Sequence, residues 1–93
     1  METLSHSNYN STAYVIKAQS EIEQGDYYNA IRDCDKAISL KPGFDSNSYY
    51  YRGVAELKIG NKDKACDDFY QAKKITGDHS YYKLNEAIRK NCQ

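Results

Sequence analysis

Ninety-three residues with thirteen basic and thirteen acidic side chains make one small domain of zero formal net charge. That balance gives no steering toward nucleic acid or a membrane surface. No window approaches the roughly 20 apolar residues of a spanning helix, and a chain this short buries only about 60–65% of its unfolded surface.

The first ten residues, Met1–Asn10, are polar and lack the basic and apolar regions of a signal peptide. They read as a flexible tail. Three cysteines, an odd number with no CxxC pair, fit a reducing compartment, so a cytoplasmic location is expected. From about Ser11 to Gln24, Tyr14, Ala18 and Ile22 recur every fourth position, the spacing of one helix face. Gly25 supplies a left-handed stop and Asp26 a cap for a second helix, Tyr27 to Leu40. That helix carries Tyr27, Ala30, Ile31, Cys34, Ala37 and Ile38 on one stripe, and Pro42-Gly43 ends it.

The pattern then restarts. Asp45 or Ser46 caps a third helix, about Asn47 to Ile59, with Tyr49, Gly53 and Leu57 inward. Gly60 stops it, and Asn61 caps a fourth over Lys62 to Thr76 that turns Ala65, Cys66, Phe69, Ala72 and Ile75 inward. After a break at Gly77-Asp78, a fifth runs from about Ser80 to Asn91. It carries Tyr81, Leu84, Ile88 and Cys92 on one side and Lys83, Glu86, Arg89 and Lys90 on the other. Nothing alternates with a period of two, so the predicted class is all-α.

Sliding the chain along itself by 35 positions superimposes Tyr14 on Tyr49, Lys17 on Arg52, Ala18 on Gly53, Glu21 on Glu56 and Gly25 on Gly60. Asp26 on Asn61, Ala30 on Ala65, Asp33 on Asp68 and Ala37 on Ala72 continue the match. A period in the thirties with fixed small residues marks a stacked repeat, in which no unit buries its apolar face alone. Ala18 against Ala30, and Gly53 against Ala65, let paired helices approach to about 8–10 Å.

These marks resemble the tetratricopeptide repeat family: an aromatic, a small residue four later, a turn glycine, two alanines seven apart and a proline. The first unit has Tyr14, Ala18, Gly25, Ala30, Ala37 and Pro42; the second has Tyr49, Gly53, Gly60, Ala65 and Ala72, with Gly77 in place of the proline. The resemblance implies an α-α superhelix of five helices. Repeat 1 spans about 11–44, repeat 2 about 46–78, and a capping helix about 80–91. Charged Lys17, Glu21, Arg52 and Glu56 depart from a pattern that is often apolar there.

The resemblance also implies a concave groove lined by the first helix of each pair. The residues placed there are Val15, Gln19, Tyr50 and Val54, with Tyr82 or Asn85 from the last helix. In that frame Tyr49 and Tyr51 belong to the core and Tyr50 is exposed. The tail, through Leu4 and Tyr9, has the reach to fold back over the groove. The lysine, arginine and asparagine clamp of relatives that grip chaperone C-termini has no match in Val15, Gln19 and Tyr51, so that partner is not expected.

Catalysis has no support in the chain. Sequential Asp67 and Asp68 diverge by about 100° on a helix and share no proton, while Asp63 and Asp67 read as a solvated face. His6 and His79 are too isolated for a metal site. There is no nucleophilic triad and no phosphate-binding loop, so no cofactor is expected. Cys34, in register with Phe69, and Cys66 read as core; Cys92 reads as an exposed, reactive thiol. The sequence therefore predicts a non-catalytic adaptor or scaffold for a protein or peptide. The alternative is a module that self-associates into a homo-oligomer or larger assembly.

Overall fold

The computed structural model describes residues 3–77 and 81–92, with side chains from Ser11 onward. Five helices follow one another: α1 (Thr3–Glu23), α2 (Tyr27–Leu40), α3 (Ser46–Lys58), α4 (Lys62–Thr76) and α5 (Tyr82–Asn91). Consecutive helices pack as antiparallel pairs, and α1 also reaches α3. The all-α architecture of stacked hairpins is the one expected from the repeat.

The middle three helices fall within one residue of their predicted bounds. The first does not: α1 starts at Thr3 where the sequence suggested about Ser11. Between these points there is neither glycine nor proline, and a helix already nucleated extends at little cost until something breaks it. Polarity alone is not a breaker. Expectations for His79 and Ser80, and for the side chains of Leu4, His6 and Tyr9, lie outside the described residues.

The two hairpin turns are built alike. Asp26 N donates to Glu21 O at 2.8 Å and Gly25 N to Ile22 O at 3.0 Å. Asn61 N donates to Glu56 O at 2.8 Å and Gly60 N to Leu57 O at 3.1 Å. This paired closure requires a left-handed residue, supplied by Gly25 at φ 80° and Gly60 at φ 93°. Asp26 and Asn61 hold the cap positions as expected, yet neither side chain caps its helix. Asp26 Oδ2 instead accepts from Asn29 Nδ2 at 2.9 Å, and Asn61 Nδ2 donates to Glu56 Oε1 at 3.0 Å. Only at α3 does a predicted cap bond form, from Asn47 N to Asp45 Oδ1 at 2.9 Å.

Two apolar clusters hold the helices together. The first gathers Ala18, Ala30, Cys34 and Ala55, with Tyr51, Tyr27, Ile22 and Ile31 around them. The second gathers Tyr49, Ala65, Phe69, Ala72 and Leu84, with Tyr50, Val54, Leu57, Tyr81 and Ile88 against it. Helix α3 feeds both, turning Ala55 and Tyr51 to one side and Tyr49 to the other. At Gly53 the approach of α4 is so close that a Cβ would stand 2.6 Å from Phe69 Cε1 and 3.1 Å from Ala65 O.

Candidate binding surface

The face of α3 that the sequence assigned to a groove carries Tyr50 and Val54, both part-buried against the second cluster. Tyr50 is not the free aromatic the sequence suggested. Its ring lies 5.1 Å from that of Tyr51, 5.9 Å from Phe69 and 5.6 Å from Tyr81, the edge and tilted geometries that aromatic quadrupoles favour. Burial pushes the phenols of Tyr50 and Tyr51 up, and that of Tyr81 up to about 12. The surface they make is aromatic, with the carboxylates of Glu23 and Asp45 near enough to add to the rise at Tyr51.

Tyr81, rather than Tyr82, is the residue by which the last helix joins this patch. It sits in extended backbone at the α5 N-cap, φ −90° and ψ 163°, which sends its ring back to Tyr50 and its hydroxyl to Asn47 Oδ1 at 3.4 Å. Tyr82, one residue on, is 76% exposed. Asn85 is exposed and accepts from Lys73 Nζ at 3.0 Å. Gln19 is exposed on α1. Val15, however, is buried at 5%, so its side chain offers no contact surface. The buried stripe of α1 runs Ser11, Val15, Ala18, with Ser11 Oγ donating to Ala37 O at 3.3 Å; of the expected Tyr14, Ala18 and Ile22, Ala18 is buried, Ile22 packs on the first cluster and Tyr14 is part-buried.

Of the four charged departures from the apolar pattern, Glu56 is buried and Arg52 and Glu21 are part-buried, while Lys17 is exposed. Arg52 Nε and Nη2 grip Asp68 through a two-bond fork at 3.0 and 2.8 Å, and Nη1 reaches Asp35 at 2.8 Å. Hydrogen bonding to Asp68, and then to Asp35, raises the guanidinium pKa, while burial pushes the Asp68 carboxyl up. In the first hairpin Lys17 Nζ lies 3.6 Å from Asp33 and 4.0 Å from Glu21. Asp68 is thus buried and paired, not part of a solvated face, whereas Asp63 and Asp67 are exposed as expected. Ile31, Asp35, Arg52, Glu56, Lys64, Asp67 and Asp68 line a recess of about 340 Å³.

Cys92 is not a free thiol: it forms a disulfide with Cys66, 26 positions away, with Cα atoms 5.6 Å apart. Antiparallel packing brings the first turn of α4 to the end of α5, a juxtaposition that no CxxC spacing announces. Cys34 remains free and fully buried, and burial pushes its thiol up to about 12, so it is core as expected. Among the described residues no cluster of three histidine, cysteine or acidic side chains could hold a metal. No described helix is long and apolar enough to cross a membrane.

Residues 11–44 match the family model described as the tetratricopeptide repeat. The chain is also similar to the DnaJ homolog subfamily C member 7 homolog of Dictyostelium discoideum, 32% identical over 78 residues. That alignment covers 84% of this chain and 14% of the relative. The case against chaperone C-terminal tails rested on missing basic side chains alone, and similarity to a relative with a DnaJ name leaves that exclusion without support.

Proposed function

Because this chain belongs to the tetratricopeptide repeat family, we propose that it is a non-catalytic adaptor whose aromatic face on α1, α3 and α5 receives an extended or helical peptide. The observation that carries the reading is the ring cluster in which Tyr50 joins Tyr81, at the second core, to Tyr51, at the first. It is flanked by polar, uncharged Asn47 and Asn85. Rigid aromatics cost little ordering entropy when they bind, and the amides select for backbone hydrogen bonding over charge. The segment that suits this face is neutral, with one aromatic or aliphatic anchor.

Selection from a displayed library of random peptides, with acidic chaperone C-terminal tail peptides as a separate arm, tests the proposal. Selected neutral peptides are expected to shift the amide resonances of Gln19, Tyr50, Val54 and Asn85. Their affinity should fall about tenfold, or about 1.4 kcal/mol, in Gln19→Ala and Asn85→Ala, with the melting temperature little moved because both side chains are exposed. Shifts gathered around Arg52 and Lys64 instead would move the site to the charged recess.

Self-association is a second reading with one observation in its favour. Ile16 is in register with Tyr51, which packs onto the preceding hairpin, yet Ile16 is 61% exposed. A neighbouring copy is the simplest cover for it. Melting that rises with protein concentration, and flattens in Ile16→Gln, would support this reading over a monomeric adaptor.

A further inference from the structure

Helix α5 is short, ten residues, and only Leu84 among them is fully buried. A helix of that length is marginal in water by itself. Its other non-covalent ties among the described residues include part-buried Ala87 and Ile88, the Tyr70 hydroxyl donating to Cys92 O at 3.0 Å, and the Lys73–Asn85 bond. Against these the Cys66–Cys92 disulfide is the one covalent tie. It fastens the C-terminal end of α5, while Tyr81 at the N-terminal end leans on Tyr50. Phe69 and Ala72 of α4 lie beneath, in the cluster that Leu84 completes.

We propose that the Cys66–Cys92 bond is a reversible latch, which a small thiol reductant opens to release α5 from α4 and so uncover the second core and loosen Tyr81 from the aromatic patch. The chemistry balances with two equivalents of a monothiol of the glutathione class. One thiolate attacks a protein sulfur, giving a mixed disulfide and a protein thiolate that takes up a proton. The second displaces the other protein sulfur, which is protonated in turn, and the reductant leaves as its own disulfide. Two features favour an exchangeable bond over a sealed one. Both cysteines are part-exposed, within reach of solvent, and the third thiol, Cys34, is fully buried and cannot act as an internal competitor. The latch does not depend on which peptide the patch receives.

The test uses the full chain, purified without reductant. After denaturation and alkylation it is expected to carry one modified cysteine, Cys34, and after treatment with reduced glutathione all three. Amide exchange over 82–91 should accelerate on reduction by about tenfold or more, while α1 and α2 change little. Cys92→Ser should show the faster exchange in both conditions, and its response to reductant should vanish. Three free thiols in the untreated chain, a disulfide between two chains, or α5 exchange that ignores reduction would each overturn the latch.

Discussion

In the first hairpin Lys17 stands 64% exposed in its side chain and reaches Asp33 with a single ammonium at 3.6 Å; in the second, Arg52 is 25% exposed and holds Asp68 by two parallel bonds. The same register therefore hosts two grades of ion pair. The planar fork satisfies both oxygens of buried Asp68, whereas the ammonium reaches the equally buried Asp33 by one longer contact. The contrast extends to the residue below. Asn61 donates to Glu56 Oε1, but its counterpart Asp26 has no proton to offer, and Glu21 Oε1 is buried without a partner. Volumes also trade across the pair: Ala18 accompanies Cys34 where Gly53 accompanies Phe69.

The largest break in this comparison should come from the cation. Arg52→Leu strands buried Asp68 and is expected to cost about 3–5 kcal/mol. Lys17→Leu removes one longer contact from an exposed ammonium to buried Asp33 and should cost less, about 1–2 kcal/mol. Chemical denaturation of the two variants measures the gap, and equal losses would erase the proposed difference in grade.

Next in size, Gly53→Ala drives a methyl into the Phe69 ring and should cost about 1–3 kcal/mol. Made in a Phe69→Cys background, which reproduces the first hairpin's pair, the same change should cost nothing or stabilise. A double-mutant cycle with no coupling would show that the two positions do not share one volume.

The smallest effect concerns Glu21. Burial first, then neighbouring Asp33, pushes its carboxyl up to about 7 from 4.5, with Lys17 opposing. A carboxyl with a higher pKa folded than unfolded holds more protons when folded, so stability falls as pH rises between 4.5 and 7. Asp26→Asn should supply the missing donor, raise stability by about 0.5–1.5 kcal/mol at neutral pH and flatten that slope. Melting curves across this range report both. A slope that Asp26→Asn leaves intact would assign it to another group.

Much of this arrangement is legible without coordinates because glycine and proline punctuate it. Gly25, Pro42-Gly43, Gly60 and Gly77 bound α2, α3 and α4 to within a residue. Ala30, Ala37, Ala65 and Ala72 announce the close helix contacts, and all are buried. Where the chain lacks punctuation the reading slips, as at the start of α1. Interior charges were visible only as exceptions, since a lysine or arginine in a helical pattern does not reveal which carboxylate meets it. The disulfide and the Tyr81–Tyr50 stacking depend on how α5 lies across α4, a relation between residues 26 or more apart that periodicity does not encode. Val15 was misplaced because the inward face of α1 is wider than the Tyr14, Ala18 and Ile22 stripe and takes in the position beside Tyr14.

Helix α3 gives one flank to the alanine-rich cluster, through Ala55 and Tyr51, and the other to the cluster around Phe69, through Tyr49. Neither hairpin can melt without stripping a side of that shared rod. Heat should thus dissolve the molecule in one step, and calorimetric and van't Hoff enthalpies should agree even though the chain carries two copies of the same unit.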